Sequence, residues 1–154
     1  MPQHSESRFV PYDADRMFAI VADVERYPEF LPWVVALRVL SRAKEEGKDV
    51  LIAEMQVGFH YLRERYTSRI VLDPAARKIE VRQVQGVFRE LENVWRFAPD
   101  GAGCRIDFFV RFEFRSRLLS AIAGSAMSLA VSTMTHAFEE RARKLASKEV
   151  LQKQ

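Results

Sequence analysis

Three histidines (His4, His60 and His136) and one cysteine (Cys104) are the side chains best able to serve as base, nucleophile or metal ligand in this 154-residue chain. None of the four lies at metal-ligand spacing from another or from a carboxylate pair, and no serine–histidine–aspartate set assembles from their positions. His60 falls at a hairpin bend. His136 falls on a helical stretch one turn from Thr133 and Glu140, where a histidine is usually a surface or satisfied core residue. Cys104 alternates inward on a strand and behaves there as a small hydrophobe. No catalytic residue, metal site or obligatory cofactor is assigned, and the chain is expected not to be an enzyme.

The segment Asp23 to Trp33, DVERYPEFLPW, says more. It opens with charge, closes on Phe30, Leu31 and Trp33, and carries prolines at 28 and 32 that stop a preceding helix. It has no nucleophile beside a base and no glycine loop for phosphate. Such a segment suits a shaped apolar lip on a domain that holds a greasy ligand.

The length predicts a single domain, residues 1–154 with a core from about 5 to 146. A net charge of +3 is mild and licenses no nucleic-acid claim, so DNA is not expected as a partner. Eighteen of the 24 basic residues are arginine. Arginines laced with Glu and Asp on a sheet face account for that bias, with an anionic partner, phospholipid or RNA, as the other reading. One cysteine allows no intramolecular disulfide and fits a reducing compartment, so the expected location is cytoplasmic, with peripheral contact at the inner face of the membrane. Met1 to Val10 is polar and has no apolar h-region, so no secretory signal is expected. The longest apolar run, Leu118 to Val131, is broken by Ser120, Gly124, Ser125 and Ser128 and falls short of the ~20 residues of a membrane span.

The elements follow from periodicity. A short strand over Glu6 to Val10 leads to a helix capped by Asp13, with Met17, Phe18, Ile20 and Val21 on its apolar side. From Val34 the period is two. Leu51, Ala53, Met55, Val57 and Phe59 share one face, and Glu45-Glu46-Gly47-Lys48 before them suits a hairpin. Leu62, Tyr66, Ile70 and Leu72 point inward while Arg63, Arg65 and Arg69 point out. Strands over Lys78 to Val84 and Leu91 to Phe97 follow. Cys104, Ile106, Phe108, Val110, Phe112 and Phe114 then oppose Arg105, Asp107, Phe109, Arg111, Glu113 and Arg115. The period returns to 3.6 from Arg117 to Ala146, a helix of about 30 residues and about 45 Å. Leu118, Ile122, Ala126, Leu129 and Thr133 fall near one stripe of it, with Met134, Phe138 and Leu145 on an adjoining one.

Strand, two short helices, six strands and one long helix make an α+β chain. A meander of about seven antiparallel strands curls as twist accumulates, and its apolar concave face must be covered. Only the last helix is large enough, which predicts a helix-grip, START-like fold. The first half of that helix is crowded with small residues, Ala121, Ala123, Gly124, Ser125, Ala126, Ser128, Ala130 and Ser132. Either the helix backbone approaches the sheet closely or a cavity stays open for a ligand. Glu64 and Ser68 share the inward phase of Tyr66, where a carboxylate needs a partner or water. Glu64 then sits at the open end of the sheet, or a bulge shifts the register.

Four blocks in order, DVERYPEFLPW at 23–33, LRERYTSR at 62–69, GVFRELENVWRF at 86–97 and FEFRSRLL at 112–119, resemble the coenzyme Q-binding START-domain family. That family is similar in sequence to bacterial ribosome-association toxins and belongs to the wider polyketide cyclase-like superfamily. The resemblance runs from about Ser7 to Arg143. It implies the helix-grip fold, binding of ubiquinone or a related polyprenyl lipid, and a supporting role in respiratory electron transfer as carrier or chaperone. On that reading the tail lies along Phe59, Tyr66, Phe108, Val110, Phe112 and Leu129, with Glu64 and Ile122 as further ligand-binding residues. The mouth is formed by Tyr27, Pro28, Phe30, Leu31 and Trp33. The alternative it implies is a toxin-like protein that blocks ribosomal subunit association, with Arg63, Arg65, Arg69, Arg111 and Arg115 contacting RNA or phospholipid phosphates of the large subunit or a membrane. An aromatase or cyclase is a third reading, for which no acid–base pair stands out.

Overall fold

A computed structural model describes residues 3–59, 62–124 and 127–152, with the side chains at 59, 62, 122–130 and 149–152 outside that description. Seven strands form one antiparallel sheet: β1 (Gln3–Val10), β2 (Val34–Glu45), β3 (Lys48–Phe59), β4 (Leu62–Asp73), β5 (Lys78–Gly86), β6 (Phe88–Asp100) and β7 (Gly103–Phe114). Their spatial order is β1-β7-β6-β5-β4-β3-β2, so β2 to β7 form a continuous meander and β1 adds to its far edge. Glu46 (φ 52°) and Gly47 (φ 81°) turn β2 into β3, the left-handed pair that a two-residue hairpin loop requires.

Between β1 and β2 the chain crosses from one sheet edge to the other through helix α1 (Ala14–Ala22) and a 3-10 helix (Val24–Glu29). Asp13 caps α1, its carboxylate accepting from the Asp15 and Arg16 amides at 3.1 and 3.2 Å. Ala14, Met17, Ile20 and Val21 are the buried face, as the 3.6-residue spacing predicts. Arg77 in the β4–β5 turn donates to Asp15 at 2.7 Å and ties the helix to the sheet rim.

The C-terminal helical region, expected as a helix over 117–146, is described as α2 (Arg117–Gly124) and α3 (Met127–Gln152), with residues 125 and 126 outside the described residues. Of its two expected stripes, the one with Met134, Phe138 and Leu145 packs on the core. Leu118 is 71% exposed and Thr133 is exposed, whereas Val131, Thr135, Phe138 and Ala142 face the core. Ala126 lies outside the described residues, as do the Ile122 and Leu129 side chains. No described helix is long and apolar enough to cross a membrane.

The core is uneven. Toward α1 and the middle of α3, Leu51, Ala53, Ile70, Leu72, Ile79, Trp95, Phe97, Ile106 and Phe108 are buried. Further along the same concave face, Met55, Val57, Tyr66, Leu91, Val110 and Phe112 are only half-buried. The packed half stabilises the fold. The other half keeps partly exposed apolar side chains.

Candidate functional site

Two aromatic groups line the concave face. In the first, Phe138 of α3 is 2% exposed and meets Tyr27, Phe30 and Trp95 edge-on, with ring centroids 5.4, 5.3 and 5.3 Å apart. Trp95 continues the chain to Phe108 at 4.7 Å. These are the separations at which edge-to-face aromatic pairs attract. Arg141 of α3 lies over the Phe30 ring, 5.1 Å from its centroid, and fixes the 3-10 helix against α3. The second group, toward the other end of the sheet, gathers Tyr66, Phe88, Phe112 and Phe114 around Phe88, at 5.2, 6.0 and 4.8 Å.

Between the groups lie the polar side chains of the concave face. Asn93 donates to the Phe109 carbonyl at 2.8 Å and accepts from the Trp95 indole at 2.8 Å. Gln83 donates to the Phe88 carbonyl at 2.6 Å and accepts from the Phe88 amide at 2.9 Å. Both are satisfied. On β4 the inward phase reads Glu64, Tyr66, Ser68, Ile70 and Leu72, and the β3–β4 register is unbroken from Asp49↔Leu72 to Phe59↔Leu62. The register break is on the β5 side, between Thr67 and Ser68, so it leaves Glu64 on the concave face. Tyr66 is seated by Gly86 (φ 146°), whose missing Cβ would stand 2.4 Å from the Tyr66 Cβ; no other residue permits that approach.

Burial pushes the Tyr66 phenol up to about 12 from its ordinary 10.0. It raises Tyr27 further, with the nearby Tyr66 and Asp23 adding to the shift. Burial likewise pushes the Cys104 thiol up to about 11, with Asp13 contributing. In each case the folded state favours the neutral, protonated form. The stabilisation is therefore complete below the unfolded pKa and is lost as pH rises through the folded one. We expect a urea midpoint that is level to about pH 9 and falls between pH 9 and 12, with Tyr66 accounting for about 2 kcal/mol of the loss. A midpoint unchanged to pH 12 would contradict the burial of these groups.

The residues expected at the mouth divide. Leu31 is 2% exposed and belongs to the core, Tyr27, Phe30 and Trp33 are half-buried, and Pro28 is exposed. The Tyr27 hydroxyl is spent on the Val21 carbonyl. Of the residues placed along the tail, Phe108 is 4% exposed and already packed, while Tyr66, Val110 and Phe112 lie on the half-covered part. Glu64 is half-buried and has no hydrogen-bonding or ionic partner among the described residues. The side chains of Phe59, Ile122 and Leu129 lie outside the described residues, and so does His60. Sequence reasoning passed over Phe138 and Trp95 as the centre of the first aromatic group. Their inward phases were readable, but their meeting across more than forty residues was not.

The outward arginines are mostly committed. Arg65 lies 4.0 Å from Glu54, Arg69 3.2 Å from Glu45, and Arg111 2.7 and 3.1 Å from Glu90 and Glu92. Arg115 donates to the Gly86 carbonyl at 3.2 Å, and the Arg63 guanidinium lies against Gly58. Such surface pairs add little stability, but they neutralise the face. A shallow open groove of about 400 Å³, lined chiefly by Ser5, Ser7, Val94, Arg96, Asp107 and Phe109 and reaching Phe108, lies over β1, β6 and β7. On the concave side the space beside Trp95, Phe108, Thr135 and Phe138 is about 10 Å³, at most one water. No three His, Cys, Asp or Glu side chains gather to hold a metal ion among the described residues.

A curved sheet gripped by a C-terminal helix, with an apolar concave face, is matched by the family model for polyketide cyclase / dehydrase and lipid transport over residues 10–139. The chain belongs to that family. It is 40% identical over 140 residues to the ribosome association toxin RatA of Pseudomonas aeruginosa, covering 90% of this chain and 94% of that one. It is 38% identical over 147 residues to the mitochondrial coenzyme Q-binding protein COQ10 homolog B of Xenopus laevis, covering 93% of this chain and 59% of that one. Neither relative's name is that of an enzyme. The solution structure of the 18 kDa protein CC1736 from Caulobacter crescentus matches with a TM-score of 0.81 at 36% identity, over 96% of this chain and 99% of that one. A START superfamily protein from Mycobacterium smegmatis, at 19% identity and a TM-score of 0.80 over 93% and 98% of the two chains, shares the helix-grip fold alone. The curved sheet and covering helix read from periodicity are thus the frame this chain shares with those structures.

Proposed function

We propose that this protein binds ubiquinone or a related polyprenyl lipid along its concave face and acts as a non-catalytic carrier or chaperone for it in respiratory electron transport. The observation that carries the reading is the half-buried apolar surface of Met55, Val57, Leu91, Val110 and Phe112, continuous with the packed core. Burial of a tail at ~0.8 kcal/mol per CH₂ makes several isoprene units sufficient for tight binding even after the cost of association. The name of the coenzyme Q-binding relative supports the choice of ligand. The lipid is a ligand, not a cofactor, and loading from a membrane surface is part of the reading.

The test is mass spectrometry of organic extracts from protein purified out of a quinone-producing host. A stoichiometric polyprenyl quinone is the expected result. Protein that is empty and takes up no quinone from vesicles would sink the reading.

A second reading, association with the large ribosomal subunit, is favoured by the name of the toxin relative. Arg65, Arg69 and Arg111 stand against it, since each must give up a carboxylate partner before meeting a phosphate. Comigration with large subunits at low salt, falling steeply as salt rises, is the result that would restore it.

A further inference from the structure

We propose that Ser68 and Tyr66 form a head-group site that takes a neutral, carbonyl-bearing ring and refuses an anionic one; this rests on the lipid-binding reading above. Ser68 is 5% exposed, faces the concave side, and its Oγ has no hydrogen-bond partner among the described residues. A buried hydroxyl left unpaired has lost the bonds water would supply, and few such groups persist in folded proteins without a use. The Tyr66 hydroxyl, one pleat away on the same face, has only the Met55 thioether at 3.3 Å, a weak acceptor. Its raised pKa keeps it a protonated donor throughout the physiological range. Two hydroxyl donors, on residues roughly 7 Å apart along one strand and on its concave face, thus lack a good acceptor among the described residues.

The surroundings set the charge of what they bind. Across the ladders, Ser68 is flanked by Ala53 and Gln83, and Tyr66 by Met55 and Gly86. None is a cation, and Gln83 is already satisfied by the Phe88 backbone. The next charged residue of the inward phase is an acid, Glu64. A phosphate or carboxylate placed here would be desolvated with no compensating charge and would face a carboxylate one pleat away. A carbonyl oxygen needs only a donor, and the site offers two. The polar gap also falls at the junction between the packed and half-covered halves of the sheet, so the head group lies inside with the tail running over Val110 and Phe112.

The experiment offers phosphatidylcholine vesicles carrying equal amounts of ubiquinone-2, squalene and farnesyl phosphate, and quantifies each in the protein-bound fraction. Wild type is expected to take ubiquinone-2 in preference to squalene, the headless isoprenoid, and to take least farnesyl phosphate. S68A and Y66F each delete a hydroxyl with little change of shape. Each is expected to lower ubiquinone-2 uptake roughly fivefold, the size of one net hydrogen bond, with squalene uptake held. Unchanged quinone-to-squalene ratios in both variants, or equal losses of both ligands, would overturn the head-group assignment and leave lipid binding standing. Preference for farnesyl phosphate would overturn it likewise. Wild type that takes none of the three would overturn the lipid reading itself, and the head-group site with it.

Discussion

Phe138→Ala is expected to lower the unfolding free energy by about 3–5 kcal/mol, the cost of emptying a fully buried phenylalanine site. The ring is 2% exposed and stands between Tyr27, Phe30 and Trp95, so its loss opens three aromatic contacts together. Edge-to-face pairs add about 0.5–1.5 kcal/mol each beyond buried area, and the vacated volume cannot collapse while Trp95 is held by Asn93 and the sheet. Domains of this size are stable by roughly 5–15 kcal/mol, so the variant should lose about a fifth or more of its stability. Chemical denaturation measures it, with Phe138→Leu as the partial restoration. A shift below about 1 kcal/mol would mean that α3 does not dock on the 3-10 helix and β6 as described.

The second large effect is on uptake. Val110→Trp is expected to cut quinone uptake from vesicles by about tenfold or more while the protein still folds. Val110 is half-buried on β7, opposite Asn93 on β6, and lies between Phe108 and Phe112 in the inward phase. An indole there fills the half-covered part of the concavity with protein instead of ligand, at an overpacking cost of roughly 1–3 kcal/mol at most. Phe108 is unsuitable for this test, because at 4% exposure it is core and its replacement would confound stability with binding. A folded Val110→Trp protein with wild-type uptake would place the tail elsewhere.

Much of the frame was legible before any coordinates. The alternation of Cys104 to Phe114 against Arg105 to Arg115 places each side chain on the face where the structure has it, because a strand's period of two ties face to residue number. Glu46-Gly47 and Asp13 were equally readable, since hairpin and cap chemistry are local. The long helix was harder. Its apolar residues admit more than one stripe, and Val131, Thr135, Phe138 and Ala142 won over the one that includes Leu118 and Thr133 because they meet α1 and β6.

What the sequence by itself determined is therefore the order of elements, the face of nearly every strand residue, and through four blocks the family. Tertiary structure alone decided depth: Phe108 and Val110 share a phase, yet one is core and the other half-covered. It decided pairing as well, leaving Ser68 without a partner among the described residues and giving Arg111 two. Face is set by backbone geometry within a few residues. Burial and partnership are set by what distant segments bring to the same point, and no local pattern records that.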